Sequence, residues 1–424
     1  MKVDLLSLAA NRRAGVVQGI TSVCSAHPLV LRAALRFAAQ HGSTVLIEAT
    51  CNQVNHQGGY TGMQPADFAA LVRRIAAEEA CPADLIILGG DHLGPNPWRS
   101  RPAGAAMAEA GAMVAAYVAA GFRKLHLDCS MGCAGEPEAL DDETTAARAV
   151  QLATVAEATA AQHGLPAPVY VIGTEVPPPG GADHAIATIE PTSPQAARRT
   201  IAVHRRIFAE AGLEGAFARA IGLVVQPGVE FGNHNIITYD PGRSGPLTAL
   251  LSDEPQFIYE AHSTDYQGEA ALAALVQNGF QILKVGPELT FVLREALYAL
   301  DLIASDLIPG YGDRPLCRAM EALMLAEPGH WQRHYPGNPE DQRLMRHYSL
   351  SDRIRYYWTD PRAAAAVDRL TTALHGRRLP LPLIWQHLPG AAAFADRPFH
   401  PADLLVWRIT QSLTTYHRAG LPRP

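Results

Sequence analysis

Ionisable side chains recur along the chain, each directly after a short apolar run. The sharpest pair is Asp91-His92, and a second histidine, His262, follows a later run. Two imidazoles and a carboxylate suit Zn²⁺, Mn²⁺ or Fe²⁺ and leave positions open for substrate oxygens. We predict a divalent metal held by His92 and His262, although both could instead be hydrogen-bonded interior histidines. The third ligand is one of Glu230, His234 and Glu260, of which we choose Glu230.

Three carboxylates are predicted to move protons: Asp91, Asp128 and Glu175. Adjacent residues at a strand end point in different directions, so Asp91 can face substrate while His92 binds metal. Neighbouring parallel strands lie about 4.8 Å apart, so Asp91 and Asp128 can flank one substrate carbon. For Asp128 and Glu175 the alternative is that they orient the metal histidines.

A third set of polar residues is predicted to bind substrate. Barrels commonly bind phosphate near strands seven and eight, and Gly286 beside the cationic Lys284 fits such a site. Lys284 as a Schiff-base nucleophile is the alternative. Arg353 and Arg355 could reach the phosphate from the C-terminal part, or could pack against the aromatic residues 356–358. The full set is Glu48, Asn52, Ser263, Thr264, Asp265, Lys284, Gly286 and Arg353.

Eight apolar runs, alternating with helical stretches, must position these residues. The runs are Val16–Val23, Thr44–Ile47, Leu85–Leu88, Lys124–Leu127, Val169–Ile172, Ile221–Val225, Phe257–Tyr259 and Ile282–Val285. Continuous apolar strands are typical of parallel sheets buried on both faces. We therefore predict an α/β fold, a (β/α)8 TIM barrel over residues 1–305, with a helical C-terminal extension over 306–424 packed on it. All the polar clusters then fall on the active-site face of the barrel.

Composition excludes several classes of protein. The 424 residues are 48% hydrophobic with a net charge of −6, which rules out wholesale disorder. No basic stripe suggests nucleic-acid binding, and no apolar run reaches the length of a membrane helix. The six cysteines form no CxxC pair and are typical of reduced thiols, so we expect a cytoplasmic protein. The sequence lacks the phosphate-binding motif GxxxxGK[ST], which excludes a P-loop kinase. It also lacks GxGxxG after a strand and the GxSxG motif, which argues against a Rossmann dehydrogenase and a serine hydrolase.

Longer motifs make the chain recognisable. They are SVCSAHPLV (22–30), LIEATCNQVN (46–55), GGYTGM (58–63), LGGDHLGPN (88–96), VIGTEVPPPGG (171–181), VVQPGVEF (224–231), YEAHSTDYQ (259–267), LKVGPELTF (283–291) and YSLSDRIRYYW (348–358). Together they closely resemble the GatZ/KbaZ family over nearly the whole chain. That family is described as the non-catalytic subunit of class II D-tagatose-1,6-bisphosphate aldolase, and is sometimes labelled a tagatose-6-phosphate kinase.

The resemblance implies a sugar-phosphate function, in tagatose or galactitol catabolism. Relatives in the wider family interconvert D-tagatose 6-phosphate and D-fructose 6-phosphate. The barrel is also similar to catalytic class II aldolases, whose Asp-His pair supplies an acid/base carboxylate and a metal ligand. Asp91-His92 and His262 match that pattern by position.

Chemistry favours an epimerase among the functions that the resemblance offers. The C4 hydrogen of a 2-ketohexose is β to the carbonyl and is not acidic, whereas retro-aldol cleavage of C3–C4 and re-addition would invert C4. We therefore expect a metal-dependent 4-epimerase acting on a phosphorylated ketohexose. The alternative is a non-catalytic subunit that stabilises a class II aldolase chain. A homo-oligomer is a further expectation.

Overall fold

Eight parallel strands close into a barrel in the computed structural model, which describes residues 2–173 and 189–422. Their bounds, together with those of a short antiparallel ribbon β7–β8, are β1 Ile20–Cys24, β2 Val45–Thr50, β3 Ile86–Leu93, β4 Lys124–Leu127, β5 Val169–Gly173, β6 Ala220–Val224, β7 Glu230–Phe231, β8 Ile236–Ile237, β9 Ile258–Ala261 and β10 Phe280–Val285. Strand β10 pairs with β1, for example Ile282 with Ile20, and closes the ring. The predicted (β/α)8 fold is confirmed.

Helices alternate with the strands and cover their outer faces. In chain order they are α1 Leu8–Arg13, α2 Pro28–His41, α3 Pro65–Glu78, α4 Ala103–Ala119, α5 Asp142–Gln162, α6 Pro194–Glu210, α7 Glu214–Phe217, α8 Pro241–Asp253, α9 Gly268–Gln277, α10 Pro287–Leu307, α11 Pro315–Ala326, α12 Pro339–Tyr348, α13 Pro361–Leu374, α14 Leu381–His387 and α15 Pro401–Gly420. Helix α8 begins at Pro241, where the Asp240 side chain caps it by accepting from the Gly242 amide. Among the described residues, no helix is both long and apolar enough to cross a lipid bilayer.

The C-terminal helices are part of the barrel's outer layer. Helix α10 runs across the predicted boundary at residue 305, and α15 lies against α2, α9 and β1. The Gly19 amide, just before β1, donates to the Gly420 carbonyl at the end of α15. Another part of the extension, the 3₁₀ helix Arg353–Tyr357, reaches the loop after β2, where the rings of Tyr60 and Tyr356 lie 4.8 Å apart. The extension therefore contacts the face on which the functional residues lie.

The opposite end of the barrel is closed by the N-terminal segment. Leu5 and Leu8 are buried against an apolar layer contributed by six of the eight barrel strands. The layer consists of Ile20, Leu46, Val169, Ile221, Ile258 and Ile282. This plug keeps water from entering the barrel below the polar residues.

Removing the plug's central side chain should destabilise the fold without touching the chemistry. Leu8 is 0% exposed, so Leu8→Ala leaves a cavity and should lower the free energy of unfolding by about 2–5 kcal/mol. Leu6, two residues away and 47% exposed, is the matched control, and Leu6→Ala should cost less than about 1 kcal/mol. Urea denaturation would measure both. Equal midpoints for the two variants would show that the plug contributes nothing.

Candidate functional site

A cavity of about 320 Å³ opens at the C-terminal ends of the barrel strands. This volume lies within the range of small-molecule sites. It is lined by eight of the residues predicted from the sequence, Asn52, Asp91, His92, His262, Ser263, Asp265, Lys284 and Gly286. The prediction that these strand-end clusters converge is therefore borne out for this group.

Three histidines meet at the floor of the cavity. His92 comes from β3, His126 from β4 and His262 from the residue after β9. Their ring centroids are 4.9 Å apart for His92–His126 and His92–His262, and 5.2 Å for His126–His262. Each ring and the Asp91 carboxylate offer one ligand atom, and these four atoms lie within 4.8 Å of one another. The group could hold one metal ion.

An irregularity in β3 brings Asp91 and His92 to the same place. The pairing of β3 with β4 shifts register between Gly90 and Leu93, and His92 has a left-handed backbone with φ of +51°. Such a bulge re-aims a side chain that regular alternation would turn away. The expectation that Asp91 and His92 point in different directions is therefore wrong, since His92 Nε2 lies 3.6 Å from Asp91 Oδ2.

Each histidine is oriented by a hydrogen bond from one ring nitrogen. His92 Nδ1 bonds Asp128 Oδ2 at 2.9 Å, His126 Nε2 bonds the Gly173 carbonyl at 3.1 Å, and His262 Nε2 bonds Glu260 Oε1 at 3.0 Å. These bonds place a proton on the bonded nitrogen and a lone pair on the other, as in metal-binding histidines.

The contact between His126 and Asp91 also fits a cation. When the Nε2 proton of His126 is donated to the Gly173 carbonyl, Nδ1 is left as an acceptor, and this atom lies 3.1 Å from Asp91 Oδ1. Two acceptors at this distance need a proton or a cation between them.

Asp128 lies behind His92 rather than in the cavity lining. Besides His92, it accepts from the Ser130 hydroxyl at 2.9 Å. Burial alone would raise the pKa of Asp128, but the hydrogen bond and charge of His92, together with His126 and Ser130, outweigh burial and hold the pKa below its ordinary value. This position matches the alternative from the sequence, in which Asp128 orients a metal histidine.

Two buried lysines and three carboxylates form a network beneath the histidines. Lys124 Nζ contacts Glu48 at 2.7 Å and Glu260 at 2.6 Å. Lys284 Nζ contacts Asp91 at 2.7 Å and Glu48 at 3.0 Å. Glu48 fits between the strands because Gly89 opposite it has no side chain, and a Cβ there would lie 2.8 Å from Glu48 Cγ.

The network fixes the charge state of Lys284. Burial alone would lower the pKa of Lys284, but Asp91, Glu48 and Glu260 outweigh it and raise the pKa well above its ordinary value. A Schiff-base nucleophile must be neutral, so this arrangement argues against that role. It also occupies the ammonium group that the sequence assigned to phosphate.

The buried carboxylates of the whole group outnumber the buried ammonium groups, so a further cation would balance the charge. Among the described residues, the four carboxylates of Glu48, Asp91, Asp128 and Glu260 face only two ammonium groups. Buried charge without compensation is costly, and one divalent ion would balance the excess. The donor set and the charge both fit the predicted metal.

The loop after β9 is held by bonds within the protein. Asp265 caps α10, its Oδ1 accepting from the amides of Gly286 at 3.0 Å and Glu288 at 2.8 Å. Burial and the nearby Glu288 raise the pKa of Asp265 to about 7. The Thr264 hydroxyl donates to the Lys284 carbonyl at 2.6 Å. The Gly286 amide and Thr264 are thus already engaged, which corrects their proposed role as phosphate donors.

Three further predicted residues of the described chain lie outside the cavity lining. Glu48 lies in the ion network and does not line the cavity, and Arg353 donates to the His330 carbonyl. Glu230 accepts from the Phe231 amide at 2.9 Å and is not in the group of four. Glu175 lies outside the described residues.

Sequence reasoning missed His126 and Lys124, which lie inside the run Lys124–Leu127 rather than after it. The sequence pattern that could have revealed them is the alternation of polar and apolar residues within this run. Lys124 and His126 alternate with Leu125 and Leu127, and residues two apart on a barrel strand share one face. It also missed two residues of the cavity wall, Tyr60 and Tyr356, whereas Arg355, which was named beside Arg353, does line the cavity.

Known proteins match this chain over nearly its whole length. The family model for D-tagatose-1,6-bisphosphate aldolase subunit GatZ/KbaZ-like proteins matches residues 5–421. A curated relative from Agrobacterium fabrum (strain C58 / ATCC 33970), named D-tagatose 6-phosphate 4-epimerase, is 61% identical over 419 residues, which cover 99% of each chain. The crystal structure of a probable tagatose 6 phosphate kinase from Sinorhizobium meliloti 1021 is 52% identical, with a TM-score of 0.87, covering 95% of this chain and 100% of that chain. The chain therefore belongs to the GatZ/KbaZ-like family, as its motifs predicted.

Proposed function

We propose that this protein is a metal-dependent 4-epimerase that interconverts D-tagatose 6-phosphate and D-fructose 6-phosphate. The observation that carries the proposal is the group of three oriented histidines and Asp91 at the floor of a sugar-sized cavity. The 61% identity to the Agrobacterium relative of that name supports the choice of substrate.

The proposed route inverts C4 without breaking its bond to hydrogen. Loss of the C4 hydroxyl proton lets the C3–C4 bond break, giving a three-carbon enediolate and a triose phosphate aldehyde. The aldehyde rotates within the cavity and presents its other face. The C3–C4 bond then re-forms and the proton returns to the C4 oxygen. Atoms and electrons balance with no external oxidant or reductant.

The residues of the site have different roles in the proposed reaction. His92, His126 and His262 would hold a divalent cation, which supplies Lewis-acid polarisation of the substrate carbonyl when bound. Asp91 takes the C4 hydroxyl proton and returns it. Lys284 keeps Asp91 as a carboxylate between turnovers, because it donates to Asp91 Oδ1 at 2.7 Å.

Solvent isotope labelling tests the route. Epimerisation of D-tagatose 6-phosphate in D₂O by the purified protein with divalent metal should give D-fructose 6-phosphate without deuterium at C4. The physical reason is that the C4–H bond stays intact throughout. NMR of the product would measure it.

Other outcomes discriminate the alternatives. Full deuterium at C4 would contradict the retro-aldol route and favour direct deprotonation. No product from metal-loaded protein would instead favour an accessory subunit of a class II aldolase, to be checked by adding the catalytic chain. ATP-dependent phosphorylation of the same substrate would contradict the epimerase proposal and favour a kinase.

A further inference from the structure

A side pocket of about 70 Å³ adjoins the main cavity. It lies between residues 25–28, which lead into α2, and Arg355, Trp358 and Thr359 of the C-terminal extension. The two cavities share the wall formed by Cys24, Gln53, Tyr60, Gly286 and Arg355. The side pocket therefore lies directly next to the main cavity.

Arg355 brings a positive charge to this shared wall. Its guanidinium donates to the carbonyls of Ser351 and Asp352, the latter at 3.1 Å, and to the Tyr356 hydroxyl at 3.0 Å. It also lies 4.5 Å from the centroid of the Tyr356 ring. No carboxylate of the described residues comes within 4.0 Å of it. The guanidinium is thus positioned by neutral groups, and its charge is left for a ligand.

The other cations that line the cavity are less suited to a ligand anion. Lys284 is surrounded by Asp91, Glu48 and Glu260. Arg99 is exposed at the rim, with its guanidinium 3.7 Å from Met131 Sδ. Of the described cations that line either cavity, Arg355 alone combines partial burial with an unpaired charge.

Ser25 offers a hydroxyl in the same pocket. It is 3% exposed, and its Oγ accepts from the His27 amide at 3.3 Å, so its proton can be donated to a ligand. A guanidinium fork and a hydroxyl donor in a pocket of this size match a phosphate monoester, whose oxygens accept several charge-assisted bonds.

We propose that the side pocket binds the phosphate group of the ketohexose, with Arg355 as its main ligand and Ser25 as a second donor. The inference rests on the proposed function for the identity of the sugar. In this proposal, the C-terminal extension, through Arg355, makes the protein specific for phosphorylated over free ketohexose.

Calorimetry with inorganic phosphate tests the subsite without any need for turnover. Arg355→Met should weaken phosphate binding about 10–100-fold, the scale of a lost bond to a charged group, and Arg355→Lys should weaken it less. The matched control is Arg369→Met, because Arg369 also donates to a carbonyl and stacks on a tyrosine, Tyr311, but does not line either cavity. Arg369→Met should bind phosphate like wild type.

Kinetics separate this inference from the proposed function. KM for D-tagatose 6-phosphate should rise about 10–100-fold in Arg355→Met while kcat changes less, and the KM for free D-tagatose should rise less than that. Wild-type protein that binds phosphate but turns over neither sugar would overturn the proposed function alone. Absent phosphate binding in wild type, or equal binding in wild type and Arg355→Met, would overturn the subsite.

Discussion

Asp91→Asn should lower kcat by about 10²–10⁴-fold, the usual scale of general acid–base catalysis. Asp91 is 2% exposed, lines the cavity and lies beside the three histidines. Burial alone would raise the pKa of Asp91, but His92 and Lys284 outweigh it and hold the pKa well below its ordinary value. The carboxylate is therefore present to accept a proton at neutral pH. An amide of the same shape cannot accept that proton, so kcat should fall more than KM changes.

The matched control for this variant is another buried aspartate. Asp301, on α10, is 0% exposed and accepts from the Tyr311 hydroxyl at 2.8 Å and the Cys317 amide at 3.0 Å, away from the cavity. Asp301→Asn should lower the urea midpoint while leaving kcat per folded molecule unchanged. Circular dichroism and metal analysis would show whether Asp91→Asn keeps its fold and metal. A folded, metal-loaded Asp91→Asn with kcat within threefold of wild type would refute the assignment.

The fold was predictable because its signals are local. Each barrel strand is a short apolar run, and α2 and α6 each begin at a proline that follows a capping residue, His27 or Ser193. Register between parallel strands then follows from burial on both faces. What the pattern could not give was the ribbon β7–β8, whose two-residue strands are too short to show alternation.

The floor of the site was predictable in part, for reasons that differ between residues. His92 and His262 follow their strands and were found, whereas His126 lies within β4 and was read as part of an apolar run. The bulge at His92 depends on how β3 pairs with β4. The need for glycine at position 94 arises in the same region, because a Cβ there would lie 1.7 Å from the Asp128 carbonyl oxygen. Such close approaches arise between strands and leave no spacing in the sequence.

The wall of the site depends on the tertiary structure alone. Residues 353–358 come more than 60 positions after the last barrel strand, and only packing decides which arginine faces the cavity. Arg355 lines it, whereas Arg353 bonds the His330 carbonyl. Likewise, the capping of α10 by Asp265 could not be foreseen from the Gly286-Pro287 sequence, and it removes the amide on which the predicted phosphate site relied.

Metal content should decide between His126 and Glu230 as the third ligand. His126→Ala removes one of three imidazoles, so the protein should retain far less Zn²⁺ or Mn²⁺ than wild type after dialysis against a weak chelator. Glu230→Gln should retain the wild-type amount, because Glu230 is outside the group of four. Elemental analysis by mass spectrometry measures both without reference to turnover.

Two further variants test whether metal binding depends on this group of histidines and their orienting partners. A buried histidine elsewhere in the protein should not affect it. Asp128→Ala removes the carboxylate that orients His92 and should weaken metal affinity about 10–100-fold. His204→Ala, at a histidine of α6 that is 0% exposed and bonded to the Thr200 carbonyl at 2.8 Å, should leave metal content unchanged. Wild-type metal in His126→Ala with loss in Glu230→Gln would restore the ligand set chosen from the sequence. Negligible metal in every protein, wild type included, would mean that Lys124, Lys284 and protonated imidazoles balance the buried carboxylates on their own.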